Sequence, residues 1–160
     1  MSVSYAILMS LGICVIAAIL EGLFAGKNVK TFLKKLRTPR YAPPLWAWVI
    51  TGVCYYATCF TILYRIFRHD GDASIKYIAL TLLLVVMAVN AFWNYFFFRL
   101  ENLFYSFVLS IIYSLVAVAL FICLIQLDKI AALAQVPYLI YLIYAFYWGY
   151  GLLKLNPNLK

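Results

Sequence analysis

An all-α bundle of five membrane-spanning helices is the fold this sequence predicts, and three observations predict it. Of 160 residues, 68% are apolar or aromatic and 11% are charged, against roughly 45–50% and about 25% in an ordinary soluble domain. The apolar residues fall into five stretches, each about the 20 residues that a helix needs to cross the hydrocarbon layer. Polar and turn-forming residues collect between those stretches. Five crossings use about 100 residues, and the rest suffices only for connections and ends. The chain, 1–160, therefore reads as a single membrane domain with no separate catalytic unit, and its function lies inside or between the helices.

The first span is expected at 3–25. Its opening, MSVSYAILMSLGICVIAAIL, has no basic segment and no clear small-residue cleavage site, so it reads as a retained helix rather than a signal peptide. A connection of almost twenty residues follows, ending in Thr38-Pro39-Arg40-Tyr41-Ala42-Pro43-Pro44. Long connections in compact membrane bundles tend to carry function, which makes this the candidate functional loop. Proline fixes φ and donates no hydrogen bond, so Pro43 and Pro44 suit the first turn of the second span, 44–67. The polar turn Arg68-His69-Asp70-Gly71-Asp72 leads to the third span, 76–98. Arg99-Leu100-Glu101-Asn102 is short enough to make the third and fourth spans, 76–98 and 102–126, an antiparallel hairpin. Asp128-Lys129 links to the fifth, 133–154. An odd span count with no internal repeat argues against a simple inverted-repeat transporter.

The net charge of +8 arises from 13 Lys and Arg against 5 acids. Six of the basic residues, Lys27, Lys30, Lys34, Lys35, Arg37 and Arg40, share the long loop with no acid among them. That pattern points to topology and anionic headgroups, and no nucleic-acid partner is expected. Five spans put the basic loop, Arg99, Lys154 and Lys160 on one side and Arg65, Arg68, Lys76 and Lys129 on the other. The positive-inside bias then predicts a multi-pass protein with the loop and C-terminus cytoplasmic and the N-terminus outside. Cys14, Cys54, Cys59 and Cys123 all lie in apolar spans without a C-x-x-C pair, which supports neither a disulfide framework nor a zinc site.

Ionisable groups are costly within a bilayer and tend to mark function, and the spans contain few. Glu21, about five residues from the end of the first span, either faces a cavity or reaches the interface near Lys27. Asn90 and Asn94 are one helical turn apart beside Trp93, so all three can share an interior face, as a ligand pocket or as glue between helices. Aromatic residues, 19% of the chain, form three groups: Trp46, Trp48, Tyr55 and Tyr56; Phe92 to Phe98; and Tyr138, Tyr141, Tyr144, Tyr147 and Trp148. The spacing 141, 144, 148 makes one face of the fifth helix aromatic. Such faces most often serve packing. Three of them with almost no charge between them suit a flat, apolar, conjugated ligand. The lone His69 lies in a polar turn, and no phosphate loop or metal-ligand spacing occurs, so hydrolytic and metal chemistry find no support and no metal or required cofactor is expected.

These residues resemble the translocator protein family, also called tryptophan-rich sensory proteins (TspO/MBR), over about 37–156. The family pattern has a K-P-x-W-x-P-P loop, an N-x-x-W…F-F stretch in the third helix and a P-Y…W…L-N fifth helix. Here they read Thr38-Pro39-Arg40-Tyr41-Ala42-Pro43-Pro44, Asn90-Ala91-Phe92-Trp93 with Phe97-Phe98, and Pro137-Tyr138 with Tyr141 and Leu155-Asn156; Tyr56 fits the second-helix tyrosine. The resemblance implies a five-helix bundle, often dimeric, whose first loop covers a pocket for porphyrins such as protoporphyrin IX, for sterols and for drug-like aromatics. By analogy the pocket is lined by Pro43, Tyr56, Asn90, Trp93, Asn94, Tyr141 and Ala145, to which the aromatic groups and the motifs add Pro44, Trp48 and Tyr138.

The chain departs from the pattern at four positions. Tyr41, Gly52 and Tyr141 stand where relatives carry tryptophan, and Leu109 where they carry an acid. Two of those tryptophans belong to the pocket credited with porphyrin photodegradation in some relatives, so the expectation is a receptor, sensor or carrier with porphyrin as bound ligand and no catalytic residue. Trp48, one turn before Gly52, is a candidate to fill the vacated space. The sterol motif near the end of the fifth helix is incomplete, since no Leu or Val precedes Tyr150 within five residues. Two rival readings are a small proton-coupled exporter using Glu21 and a weak light-dependent porphyrin-degrading enzyme.

Overall fold

The computed structural model describes residues 1–159. Its helices are α1 (Val3–Ala25), α2 (Val29–Lys35), α3 (Leu45–Arg68), α4 (Ala73–Asn94), α5 (Leu103–Leu127) and α6 (Lys129–Leu155). α4 continues through a wider π-helical turn, Tyr95–Arg99. Five of these elements are long and apolar enough to cross a membrane, as expected, and among the described residues there is no strand.

The helix starts follow from side chains that cap free backbone N–H groups. Ser2 accepts from Tyr5 N, Asp72 from Ser74 N, Asn102 from Tyr105 N, and Asp128 from both Ile130 N and Ala131 N. Two capping aspartates correct the expected boundaries. Asp72 starts the third span at Ala73 rather than 76, and Asp128 starts the fifth at Lys129 rather than 133. The diproline precedes the second span instead of forming its first turn. Pro44 is extended (φ −66°, ψ 160°), and the helix begins at Leu45. Within the long loop the sequence reading missed the short helix α2. It is tied down by Phe32, which is fully buried against Phe97 and Phe98.

Packing closes the spans into a ring in the order α1, α4, α5, α6, α3 and back to α1, with the α4–α5 hairpin as its most extensive contact. Large apolar side chains such as Leu8, Leu115, Leu133 and Ile143 point outward with well over half of their surface exposed. An apolar surface of this extent is disfavoured in water and suits lipid. The basic loop, the α4–α5 turn and the chain end lie together at one end of the ring. Arg37 N donates to Asn156 Oδ1 and Asn156 Nδ2 donates to Arg37 O, both at 2.9 Å. Leu103 N donates to Leu159 O (2.8 Å), and Lys35 pairs with Glu101 (3.6 Å). This is the grouping of the basic loop with Arg99 and Lys154 that the span count predicts; Lys160 lies outside the described residues.

Candidate ligand cavity

Inside the ring, at the loop end, is a cavity of about 300 Å³. Small-molecule sites span about 300–1,000 Å³. Its walls come from α3 (Trp48, Val49, Thr51, Gly52, Tyr55), α4 and its π turn (Asn90, Trp93, Asn94, Phe97, Phe98) and α6 (Tyr138, Tyr141, Trp148). Glu21 of α1, Val29 and Leu33 of α2 and Leu45 at the start of α3 complete it. A second lobe of about 100 Å³ shares Trp48, Asn90, Trp93, Phe97, Tyr138, Tyr141 and Trp148 and extends between α5 and α6 to Ser110, Tyr113 and Ala145.

The local helical geometry produces this wall. Asn90, Trp93 and Asn94 fall on one face of α4 by their i, i+3, i+4 spacing. The π turn is closed by Leu100 N donating to Tyr95 O (3.0 Å), an i to i+5 bond. Just beyond α4 it directs two consecutive residues, Phe97 and Phe98, onto the cavity. Phe97 stacks on Trp93 with ring centroids 4.6 Å apart and planes 12° apart. Trp93 is further fixed by Nε1 donating to Ser110 Oγ (3.0 Å). On the opposite wall Trp48 packs against Trp148 (4.7 Å) and edge-on against Tyr141 (6.5 Å). The hydroxyls of Tyr113 and Tyr138 bond each other at 2.7 Å.

Glu21 faces the cavity rather than the interface, which resolves the alternative left by the sequence. Tyr56 Oη donates to its Oε2 (2.6 Å) and Asn94 Nδ2 to its Oε1 (2.9 Å). Asn94 also donates to Asn90 O (3.0 Å). It is therefore helix glue, joining α4 to α1, and cavity wall at the same time. The side-chain amide of Asn90 has no hydrogen-bond partner among the described residues and borders both lobes.

Of the residues predicted for the site, Trp48, Asn90, Trp93, Asn94, Tyr138 and Tyr141 line the larger lobe, and Ala145 lines the smaller. Tyr56 reaches the site only through Glu21. Pro43 and Pro44 border neither lobe; they end the loop above it. Trp48 and Gly52 both border the larger lobe, and the space immediately around Gly52 is open, since an added Cβ meets nothing within 4 Å. Tyr55, Phe97, Phe98 and Trp148 are wall residues that the predicted set lacks, although Trp148 belongs to the aromatic stripe 141, 144, 148. Tyr144 of that stripe serves the loop instead, donating to Tyr41 O (3.0 Å), while Tyr41 stacks on Tyr147 at 4.7 Å. Tyr41 thus holds the loop to α6, in the position where relatives have tryptophan. Among the described residues no three His, Cys, Asp or Glu side chains gather as metal ligands.

A closed ring of five spans around an aromatic, ligand-sized cavity, capped by a basic loop, defines an integral multi-pass membrane protein of the binding or sensing class. The chain belongs to the TspO/MBR family, whose model matches residues 10–155, from the first half of α1 to the last residue of α6, and so takes in every residue of the cavity wall. No curated protein matches the chain.

Proposed function

We propose that this protein is a membrane receptor, sensor or carrier that binds porphyrins, protoporphyrin IX among them, and similar flat apolar ligands in the cavity, without catalysing their conversion. The observation that carries this reading is the cavity wall itself, in which aromatic rings from α3, α4 and α6 surround a space of about 300 Å³ whose only carboxyl and amide side chains, among the described residues, are those of Glu21, Asn90 and Asn94. Aromatic rings favour stacking on a conjugated plane, each contributing about 0.5–1.5 kcal/mol beyond area burial. Gly52 and Tyr141, in place of two tryptophans, support binding over indole photochemistry. Coupled export through Glu21 is less well supported, because among the described residues no second acid and no histidine lines the cavity to relay a proton. The unequal distribution of basic residues supports a cytoplasmic loop and C-terminus.

Titration of the purified protein with protoporphyrin IX, followed by tryptophan quenching, tests the proposal. Saturable quenching that weakens about tenfold in Trp93→Ala, and also weakens in Asn90→Ala, is the expected result. Absence of saturation, or identical curves for all three proteins, would overturn it.

A further inference from the structure

Glu21 is the only acid within the five spans, and the binding of a flat ring system does not account for it. Its surroundings are specific. Two neutral donors, the Tyr56 hydroxyl and the Asn94 amide, fix one oxygen each and leave further acceptor capacity on both. Among the described residues the ion pairs are Lys35–Glu101 and Arg65–Asp128; Glu21 has no cationic partner. A half-buried carboxylate held by neutral donors alone is oriented without being neutralised, and such a charge is costly in a low-dielectric site unless a cation joins it. The aromatic side chains of Trp48, Trp93, Tyr138 and Tyr141 line the same cavity. Aromatic faces attract cations electrostatically, tryptophan most strongly. A carboxylate and several π faces around one apolar space is the arrangement that recognises an organic cation.

We propose that Glu21 makes the cavity selective for flat aromatic ligands that carry a protonated or quaternary nitrogen, the nitrogen lying against Glu21 and the ring system among the tryptophans and tyrosines. This inference rests on the reading of the cavity as a ligand site. It adds a charge preference that the tetrapyrrole proposal does not contain. A dicarboxylate such as protoporphyrin IX is repelled by Glu21 and binds with its carboxylates turned away from it, toward the side closed by α2, where Lys30 and Lys34 flank Val29 and Leu33.

The test compares 10-methylacridinium with its neutral ring isostere 9-methylanthracene, and both with protoporphyrin IX, on the protein in lipid nanodiscs by tryptophan quenching. Wild type is expected to bind the cation about tenfold more tightly than the isostere. Glu21→Gln is expected to lose that preference while binding protoporphyrin IX more tightly than wild type does. Tyr56→Phe, which keeps the carboxylate, is expected to retain the preference. Opposite movements for cation and dicarboxylate cannot arise from a loosened fold, which weakens both. Equal affinities for cation and isostere in wild type, an unchanged preference in Glu21→Gln, or a fall for all ligands together would overturn the inference. Saturable protoporphyrin binding without a cation preference defeats this inference and leaves the tetrapyrrole reading intact; a Glu21-dependent cation preference without porphyrin binding does the reverse.

Discussion

At the end of the bundle away from the basic loop, Ile62, Leu63, Ile66, Leu83, Leu120 and Leu124 are each no more than 1% exposed and interlock with Ala79, Ala117 and Ala131. At the loop end the buried cluster is smaller and built differently: Phe32, Leu36, Phe97, Leu103, Trp148 and Leu152. The cavity lies between the two clusters, taking Tyr55 and Tyr138 from the first and Trp148 and Phe97 from the second. Branched aliphatic and small side chains on facing helices fill space to crystal-like density. Large rigid rings, each on a single methylene, fill it less completely here, and the space they leave is the cavity. One end therefore supplies stability, and the other supplies a shaped gap with a lid.

Breaking the packed end should have the largest energetic effect and leave the site alone. Leu63→Ala removes a fully buried side chain that touches neither lobe of the cavity. The expected loss is about 2–5 kcal/mol, read as a lower thermal midpoint in detergent, with ligand affinity unchanged at temperatures where the variant is folded. A midpoint close to wild type, or a matching loss of affinity, would show that the two ends are not separable in this way.

The lid should respond locally. Asn156 holds Arg37 through both of its side-chain groups, at 2.9 Å each, across 119 positions of sequence. Asn156→Ala leaves the Arg37 backbone groups unpaired, at a cost of about 1–3 kcal/mol. Hydrogen exchange is expected to accelerate over 29–42 while the helices of the opposite end keep their protection. Uniform acceleration throughout the bundle would mean that the loop is not an independent element.

The span count was legible in the sequence because it rests on long-range averages, namely apolar length and the polar turns at Arg68–Asp72 and Arg99–Asn102, whereas nothing in the spacing marked which end of the bundle packs solidly. The face shared by Asn90, Trp93 and Asn94 was legible because helical spacing alone puts them together. What escaped depended on one local departure or one distant partner. The π turn that brings in Phe97 and Phe98 follows from a hydrogen-bond shift after Asn94, which no spacing announces. The short helix α2 in the basic loop is held by the tertiary contact of Phe32 rather than by its own propensity, as seven residues are too few to be stable alone. Glu21 had two places to go from its position near a helix end, and only Tyr56 and Asn94, 35 and 73 positions later, decide between them.

The smallest effect concerns the charge that closes the packed end. Asp128 caps α6 through the amides of Ile130 and Ala131 and accepts from Arg65 Nη2 (2.6 Å) and Nε (2.9 Å). Burial by itself would raise the Asp128 pKa, but the Arg65 guanidinium and the two capping amides outweigh it and hold the carboxyl below its ordinary value of 3.8. A carboxyl with a lowered folded-state pKa stabilises the fold above the unfolded pKa, about 3.9, and loses that contribution as pH falls through the folded value. Asp128→Asn keeps the capping oxygen and replaces the charged acceptor facing Arg65 with a neutral amide. Because Arg65 remains about a third exposed, with 35% of its side-chain surface accessible, the expected cost at neutral pH is about 0.2–1 kcal/mol. Thermal midpoints of the two proteins should differ at pH 7 and converge below pH 4 as the wild-type carboxyl protonates. A difference that persists at low pH would assign the effect to cap geometry rather than to the ion pair. A difference larger than that of Leu63→Ala would move the main support of this end from its aliphatic core to its charged rim.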